Sequence, residues 1–198
     1  MSFDAVEALV QGYLLPQTLN KAHEGLSPIH RDRLLRKENR KGELWGVRDV
    51  KDVFVLICGH GGRDKRCGVL APVLRKEFEN QLQKQYIKLL EGPVEVLENV
   101  QQKEGDGEGE GEKERTAKVA AISHIGGHKF AGNVIVYIPP GWKGEDGKES
   151  KLAGKGVWYG RVEPRHVEGI VRETVGGGRV IEELFRGGVG RGGEVLRL

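Results

Sequence analysis

The sequence predicts an α/β fold in which a largely buried sheet is covered by helices. The run VFVLIC at residues 53–58 is continuous, rich in β-branched residues and followed by glycines, as expected for a central strand covered on both faces. A glycine-rich loop follows, and then apolar residues recur at helical spacing, at Leu70, Val73, Leu74, Phe78 and Leu82. Short apolar segments separated by turn residues continue to the end of the chain. A strand, a loop, a helix and further strands in this order are typical of the α/β class.

The later segments complete a set of about five strands and two main helices. The further strand candidates are VEVLENV at 94–100, KVAAISHIGG at 118–127, NVIVYIPPG at 133–141 and GVWYGRV at 156–162. A second helix is predicted to open at Pro164. We expect a central mixed sheet of about five strands, flanked by helices and interrupted by long loop insertions. A sandwich of the thioredoxin kind accommodates this order, and other α/β folds remain open.

The domain organisation follows from composition. A chain of 198 residues fits one domain of ordinary size. We expect residues 1–50 to form an N-terminal extension that is partly helical or flexible, residues 51–188 to form the domain, and residues 189–198 to form a glycine-rich tail. The stretch QQKEGDGEGEGEKE has no apolar residue to bury, so a disordered acidic insertion is predicted near residues 101–116.

Charge is balanced overall but unevenly distributed. Thirty-two Lys and Arg residues against 29 Asp and Glu residues give a net charge of +3, and residues 91–114 hold nine acids against two lysines, so the rest of the protein is basic. No aromatic-and-basic stripe accompanies this charge, and nucleic-acid binding is therefore not predicted. The longest apolar run has six residues, whereas a membrane-spanning helix needs about 20. No membrane span is predicted.

Two cysteines stand on either side of the loop after the first strand. Cys58 ends that strand and Cys67 precedes the helical pattern, so they form a C-x8-C pair across GHGGRDKR. Sites in α/β folds gather at the carboxyl ends of strands. The glycine amides, a helix N-terminus and the cations Arg63, Lys65 and Arg66 are expected to lower the pKa of the thiols. The alternative is that these are two ordinary cysteines.

Two histidines form a second pair. His124 and His128 stand in HIGGH, where adjacent glycines make a helix improbable and allow a tight loop to bring the rings together. Together with the two cysteines they make four ligands. Four is the number that a zinc ion or one [2Fe-2S] cluster requires. A structural zinc module fits the donors, although C-x8-C is loose for a zinc knuckle. A thiol-disulfide oxidoreductase using Cys58 and Cys67 is a further alternative, although it prefers C-x-x-C and leaves the histidines idle.

These motifs resemble a known family. CGHGGRDKRCG, HIGGHKFAGNVIVY and GVWYGRVEP together are similar to the thioredoxin-like ferredoxin domain of the fungal and plant sucrase/ferredoxin-like proteins, over about residues 50–188. The resemblance implies a non-Rieske [2Fe-2S] cluster in which Cys58 and Cys67 hold the inner iron, while His124 and His128 hold the outer iron. It also implies a divergent N-terminal domain that is absent or shortened here.

The resemblance carries expectations about function. It implies an electron carrier rather than an enzyme, with one-electron and proton-coupled chemistry in mitochondrial redox homeostasis. The partners would be redox proteins, and Arg63, Lys65 and Arg66 could receive an acidic one, unless they are simply a solvated loop face. His60 is expected to serve in hydrogen bonding or to lie exposed rather than to bind iron. Trp158 is expected to pack in the core or to line the cofactor.

Overall fold

The structure is a computed structural model that describes residues 2–44, 50–92, 114–190 and 194–197. The chain divides into two compact units: a smaller one described over residues 2–44 and a larger one described over the remaining ranges. The strand predicted at 94–100 and residues 101–113 of the predicted acidic insertion lie outside the described residues.

The smaller unit consists of short helices. Ser2 caps the first helix by accepting a hydrogen bond from the amide of Ala5, and Ser27 caps the second in the same way. The hydroxyl of Tyr13 donates to the carbonyl of Lys41 at 3.1 Å and ties the two ends of this unit together. The α-helices are α1 (Phe3–Leu9) and α2 (Pro28–Arg33), and the π and 3-10 segments are Val10–Leu14, Lys21–His23 and Glu38–Glu43.

The larger unit is built on one mixed sheet. Its strands are β1 (Val53–Cys58), β2 (Lys88–Leu89), β3 (Thr116–Ile122), β4 (Val134–Ile138), β5 (Lys155–Tyr159), β6 (Phe185–Val189) and β7 (Val195–Leu196). Within the described residues the strand order is β2-β3-β1-β4-β5-β6-β7. β1 and β2 run parallel to β3, whereas every other neighbouring pair is antiparallel. The mixed α/β class predicted from the sequence is confirmed.

The sheet is larger than the prediction of about five strands, because it has seven in the described part of the chain. Two of the additional strands, β2 and β7, have two residues each, too few for an alternating pattern. The third, β6, has the sequence FRGGV, and glycine is depleted in strands because it offers no side chain to pack. The missed strands therefore depend on pairing with neighbours rather than on local sequence.

Helices cover the sheet and complete the core. Helix α3 (Lys65–Lys84) buries Leu74, Phe78 and Leu82 and packs against β1, β3 and α4. Helix α4 (Pro164–Ile170) begins with proline and continues as a π-helical segment over Val171–Gly176. These helices and the sheet share one buried apolar cluster that runs from Val53 to Val175. No helix in the described ranges combines the length and the apolarity needed to cross a bilayer.

Candidate functional site

The two cysteines meet beneath the glycine loop. Cys58 is the last residue of β1 and is 1% exposed, while Cys67 lies in the first turn of α3 and is 2% exposed. Both are free thiols, and they lie close enough for the side chain of Cys58 to raise the pKa of the Cys67 thiol. The sequence-predicted pair is therefore brought together as two buried, unbridged sulfur donors.

Glycines make this contact sterically possible. A Cβ on Gly68 would lie 2.8 Å from the Cα of Gly61, so the loop backbone lies directly against the first turn of α3. A Cβ on Gly59 would lie 3.2 Å from the Cβ of Ala121 on β3. The close approach of loop, helix and strand places Cys67 beside Cys58.

The prediction of lowered thiol pKa values is wrong for Cys67. Burial raises the pKa of Cys67 above its ordinary value, and the hydrogen bond and charge of Cys58 raise it further. The backbone of Gly132 bonds to the Cys67 sulfur and lowers the pKa, but this effect is smaller than the effect of burial. In the cofactor-free protein, Cys67 is thus a protonated thiol at neutral pH.

The histidine loop leaves the sheet beside Cys58. Because β1 and β3 are parallel, Cys58 pairs in register with Ile122, and His124 lies two residues beyond Ile122. His124 is half-buried, and its ring stands 6.2 Å from the ring of His60 at an interplanar angle of 64°. His60 itself is exposed. The carboxyl ends of two adjacent strands therefore present a thiol and an imidazole at the same edge of the sheet.

Asn133 anchors the far end of the histidine loop. Its carbonyl oxygen accepts a 3.0 Å hydrogen bond from the amide of Cys58. Its side chain is buried against Gly126, where an added Cβ would lie 2.7 Å from Oδ1. Among the described residues this Oδ1 has no hydrogen-bond partner, so it is an available acceptor beside the loop. Asn133 stands inside the motif HIGGHKFAGNVIVY, but nothing in the sequence assigns it a role at the site.

The four predicted ligands are gathered only in part. Across the described ranges, no three Cys, His, Asp or Glu side chains stand close enough together to hold one metal ion. The backbone of His128 begins a 3-10 turn, His128–Phe130, while its side chain lies outside the described residues. The structure thus assembles the cysteine pair and places the backbone of the histidine loop next to it.

The cations of the glycine loop are partly neutralised. The guanidinium of Arg66 binds the carboxylate of Asp64 through Nε at 3.1 Å and Nη2 at 2.8 Å. Asp64 also caps α3 by accepting from the amide of Arg66 at 2.9 Å. The charge of Arg66 is therefore committed within the loop, which weakens the predicted role of this segment in receiving an acidic partner.

A second group of cations was missed by sequence reasoning. Arg186, Arg161 and Lys129 lie over the ring of Phe130, at 3.1, 5.0 and 5.7 Å from its centroid. We call these four residues the Phe130 surface. They come from three separate segments, so only the fold brings them together, and no local pattern could have revealed them.

Trp158 lies in the sheet rather than in the glycine loop. It pairs with Ile135 of β4 on one side and with Gly187 of β6 on the other, and its side chain is half-buried. Its indole Nε1 is buried and has no hydrogen-bond partner among the described residues. The backbone pairing gives Trp158 a structural place in the sheet.

Comparison with known proteins identifies the family. The model of the sucrase/ferredoxin-like family matches residues 1–187. The chain belongs to the sucrase/ferredoxin-like family. The match begins at the first residue and so includes the segment that the sequence predicts to be an extension.

Fungal proteins are among the relatives of this chain. "Altered inheritance of mitochondria protein 32" of Meyerozyma guilliermondii is 37% identical over 70% of this chain and 36% of its own length. "Actin patches distal protein 1" of Saccharomyces cerevisiae is 32% identical over 87% of this chain and 41% of its own length. The chain therefore spans about two fifths of the length of these relatives. No solved structure is significantly similar to it.

Proposed function

We propose that this protein is a one-electron carrier that holds a [2Fe-2S] cluster on Cys58, Cys67, His124 and His128. The observation that carries the proposal is the contact between two buried, unbridged thiols at the end of β1, next to the loop that bears both histidines. Two thiolates and two imidazoles are a donor set that such a cluster accepts, with one pair on each iron.

The division of ligands between two irons fits the arrangement of the residues. Because each iron takes its own pair, the thiols and the imidazoles need not converge on a single point. The cysteines would hold one iron from β1 and α3, and the histidines would hold the other from the loop after β3. When bound, the cluster would accept and release one electron.

The protein's own residues would shape this site in three ways. The backbone amide of Gly132 contacts the Cys67 sulfur, and such bonds stabilise anionic sulfur. Burial of both thiols limits the access of water. The Oδ1 of Asn133 is an acceptor positioned to hold the histidine loop.

The names of the relatives support a mitochondrial role, because several contain the words "altered inheritance of mitochondria". We extend the proposal to mitochondrial redox homeostasis and to proton-coupled electron transfer, since an imidazole ligand has a second nitrogen that can gain or lose a proton.

Anaerobic purification tests the proposal. We expect a coloured protein with two irons and two acid-labile sulfides per chain, and a low-temperature EPR signal after reduction. Cys67→Ser should remove the colour, whereas Ser123→Ala, a substitution in the histidine loop that removes no proposed ligand, should retain it. A colourless protein that contains zinc would favour the zinc module, and a Cys58–Cys67 disulfide that cycles with thiol reagents would favour the oxidoreductase.

A further inference from the structure

The Phe130 surface adjoins the histidine loop. Phe130 belongs to the turn His128–Phe130, and its carbonyl accepts a hydrogen bond from the amide of Arg161 at 3.3 Å. The next amide, that of Val162, donates to the carbonyl of Gly132 at 3.0 Å. The backbone that carries Arg161 is thus bonded to the loop that carries the proposed outer ligands.

We infer that the Phe130 surface is the docking site for an acidic protein partner that exchanges an electron with this protein. The inference rests on the proposed function, because it takes the histidine loop to be the side at which the electron leaves or enters. Lys129 follows His128 directly in the chain. A partner bound over Phe130 would therefore lie against the loop of the outer ligands.

The cations of this surface are available to a partner. Lys129, Arg161 and Arg186 are exposed, and within the described residues none of them forms an ion pair. Nearby arginines differ in this respect: Arg165 pairs with Glu163 at 2.9 Å, and Arg179 pairs with Glu173 at 2.6 Å. Positive charge without an ion-pair partner in the described part of the chain favours an anionic partner.

The aromatic ring holds the guanidinium groups in place. Cation–π attraction holds an arginine over an aromatic face, and such ordering lowers the entropy lost on docking. Arg161 has a φ of +57°, a left-handed conformation that is unfavourable for a residue other than glycine. The surrounding fold therefore fixes Arg161 at this position, where its guanidinium group can bind a carboxylate through two hydrogen bonds.

The surroundings favour a protein over a nucleic acid or a membrane. Phe130 is already covered by guanidinium groups, so its face is not open for base stacking. A groove beside Arg186 combines apolar side chains with two arginines and one acid, a mixture typical of protein interfaces. The groove is lined by Glu182, Phe185, Arg186, Gly187, Leu196 and Arg197.

Isothermal titration calorimetry at low ionic strength tests the inference. The probe is an acidic flavodoxin, and a basic cytochrome c serves as the counter-probe. The patch variant is Lys129→Gln, Arg161→Gln and Arg186→Gln together. The matched control is Lys143→Gln, Lys148→Gln and Lys151→Gln together, which removes the same charge from exposed lysines elsewhere in the larger unit. Circular dichroism establishes that both fold.

We expect flavodoxin, but not cytochrome c, to bind the unmodified protein. The patch variant should weaken this binding about tenfold or more, and the control less than about threefold. Binding should also weaken as salt shortens the screening length to about 10 Å at 0.1 M. Equal losses in both variants, no flavodoxin binding, or tighter patch-dependent binding of an RNA oligomer or of anionic vesicles would each overturn the inference.

Iron and sulfide analysis of the same samples separates the two proposals. A colourless protein would overturn the proposed function, and the binding measurement would still report on the surface. If the protein carries the cluster but the patch variant binds flavodoxin as tightly as the unmodified protein does, only the proposed docking site is overturned.

Discussion

The backbone amide of Cys58 donates a 3.0 Å hydrogen bond to the carbonyl oxygen of Asn133, and this bond joins the cysteine strand to the end of the histidine loop. The side chain of Asn133 in turn lies against Gly126, which stands between the two histidines. The cysteine strand and the histidine loop are therefore parts of one hydrogen-bonded frame.

Gly126 tests the importance of this frame. Gly126→Ala would place a methyl group 2.7 Å from Oδ1 of Asn133 at a φ of +73°. Gly141→Ala is the matched control, because its φ is +72° and no atom lies within 4 Å of its added Cβ. Both should lose about 1–2 kcal/mol of unfolding free energy through φ alone. Gly126→Ala should lose more and should also bind less iron.

Urea unfolding and iron analysis measure these two effects. If both variants are destabilised equally and bind equal amounts of iron, the contact between Gly126 and Asn133 contributes neither to stability nor to iron binding.

The Cys67 thiol should ionise only in alkaline solution in the cofactor-free protein. Burial and Cys58 raise its pKa above the ordinary value of 9.0. The protonated thiol is the neutral form, so a raised pKa means that the folded protein holds this proton more tightly than the unfolded chain does. The associated stability is complete below pH 9.0 and is lost as the pH rises through the folded-state pKa.

Alkylation by iodoacetamide, followed peptide by peptide with mass spectrometry, measures the ionisation of Cys67. In Cys58→Ser the sulfur that raises the pKa of Cys67 is gone, so Cys67 should become reactive at a lower pH than in the unmodified protein. Rapid alkylation of the folded, unmodified protein at pH 7 would contradict the prediction.

The fold shows where sequence reasoning succeeds and where it stops. The run VFVLIC matches β1 residue for residue, because a continuous β-branched segment has few alternatives to a buried strand. The segment FRGGV does not predict a strand, because its glycines have no side chains to pack. It forms β6 through backbone pairing with β5. The direction of the Cys67 pKa was also missed, since burial depends on the approach of Gly61 to Gly68.

The charged surfaces follow the same principle. Arg63, Lys65 and Arg66 stand out in the sequence because they are neighbours, yet Arg66 is bound to Asp64. Arg161 and Arg186 are far apart in the sequence and meet over one ring. Proximity along the chain is therefore a poor guide to net surface charge, which depends on tertiary contacts.

His60 and His124 should differ in their effect on the cofactor. His60 is exposed, whereas His124 is half-buried and follows the strand that pairs with Cys58. His60→Ala should therefore keep its full iron and sulfide content, and His124→Ala should lose most of both. Visible absorption and iron analysis of the two variants, prepared side by side, provide the measurement. Loss of the cofactor from His60→Ala with retention in His124→Ala would reverse the assignment of ligands.

Tyr159 should contribute to stability through a buried hydrogen bond. Its hydroxyl lies 2.6 Å from Oγ1 of Thr174 and accepts from the amide of Ile181 at 3.3 Å. Tyr159→Phe leaves both groups without this partner, so we expect a loss of about 1–3 kcal/mol of unfolding free energy. Tyr86→Phe is the matched control, because Tyr86 is 93% exposed and should lose almost nothing.

A double-mutant cycle with Thr174→Val isolates the pair. If the cost of Tyr159→Phe comes from an unsatisfied Thr174 hydroxyl, removing that hydroxyl as well should cost less than the sum of the two single variants. Urea unfolding of the four proteins gives this coupling directly. Strict additivity would mean that the two hydroxyl groups do not stabilise each other. The loss in Tyr159→Phe would then arise from the hydrogen bond that the phenol oxygen accepts from the amide of Ile181.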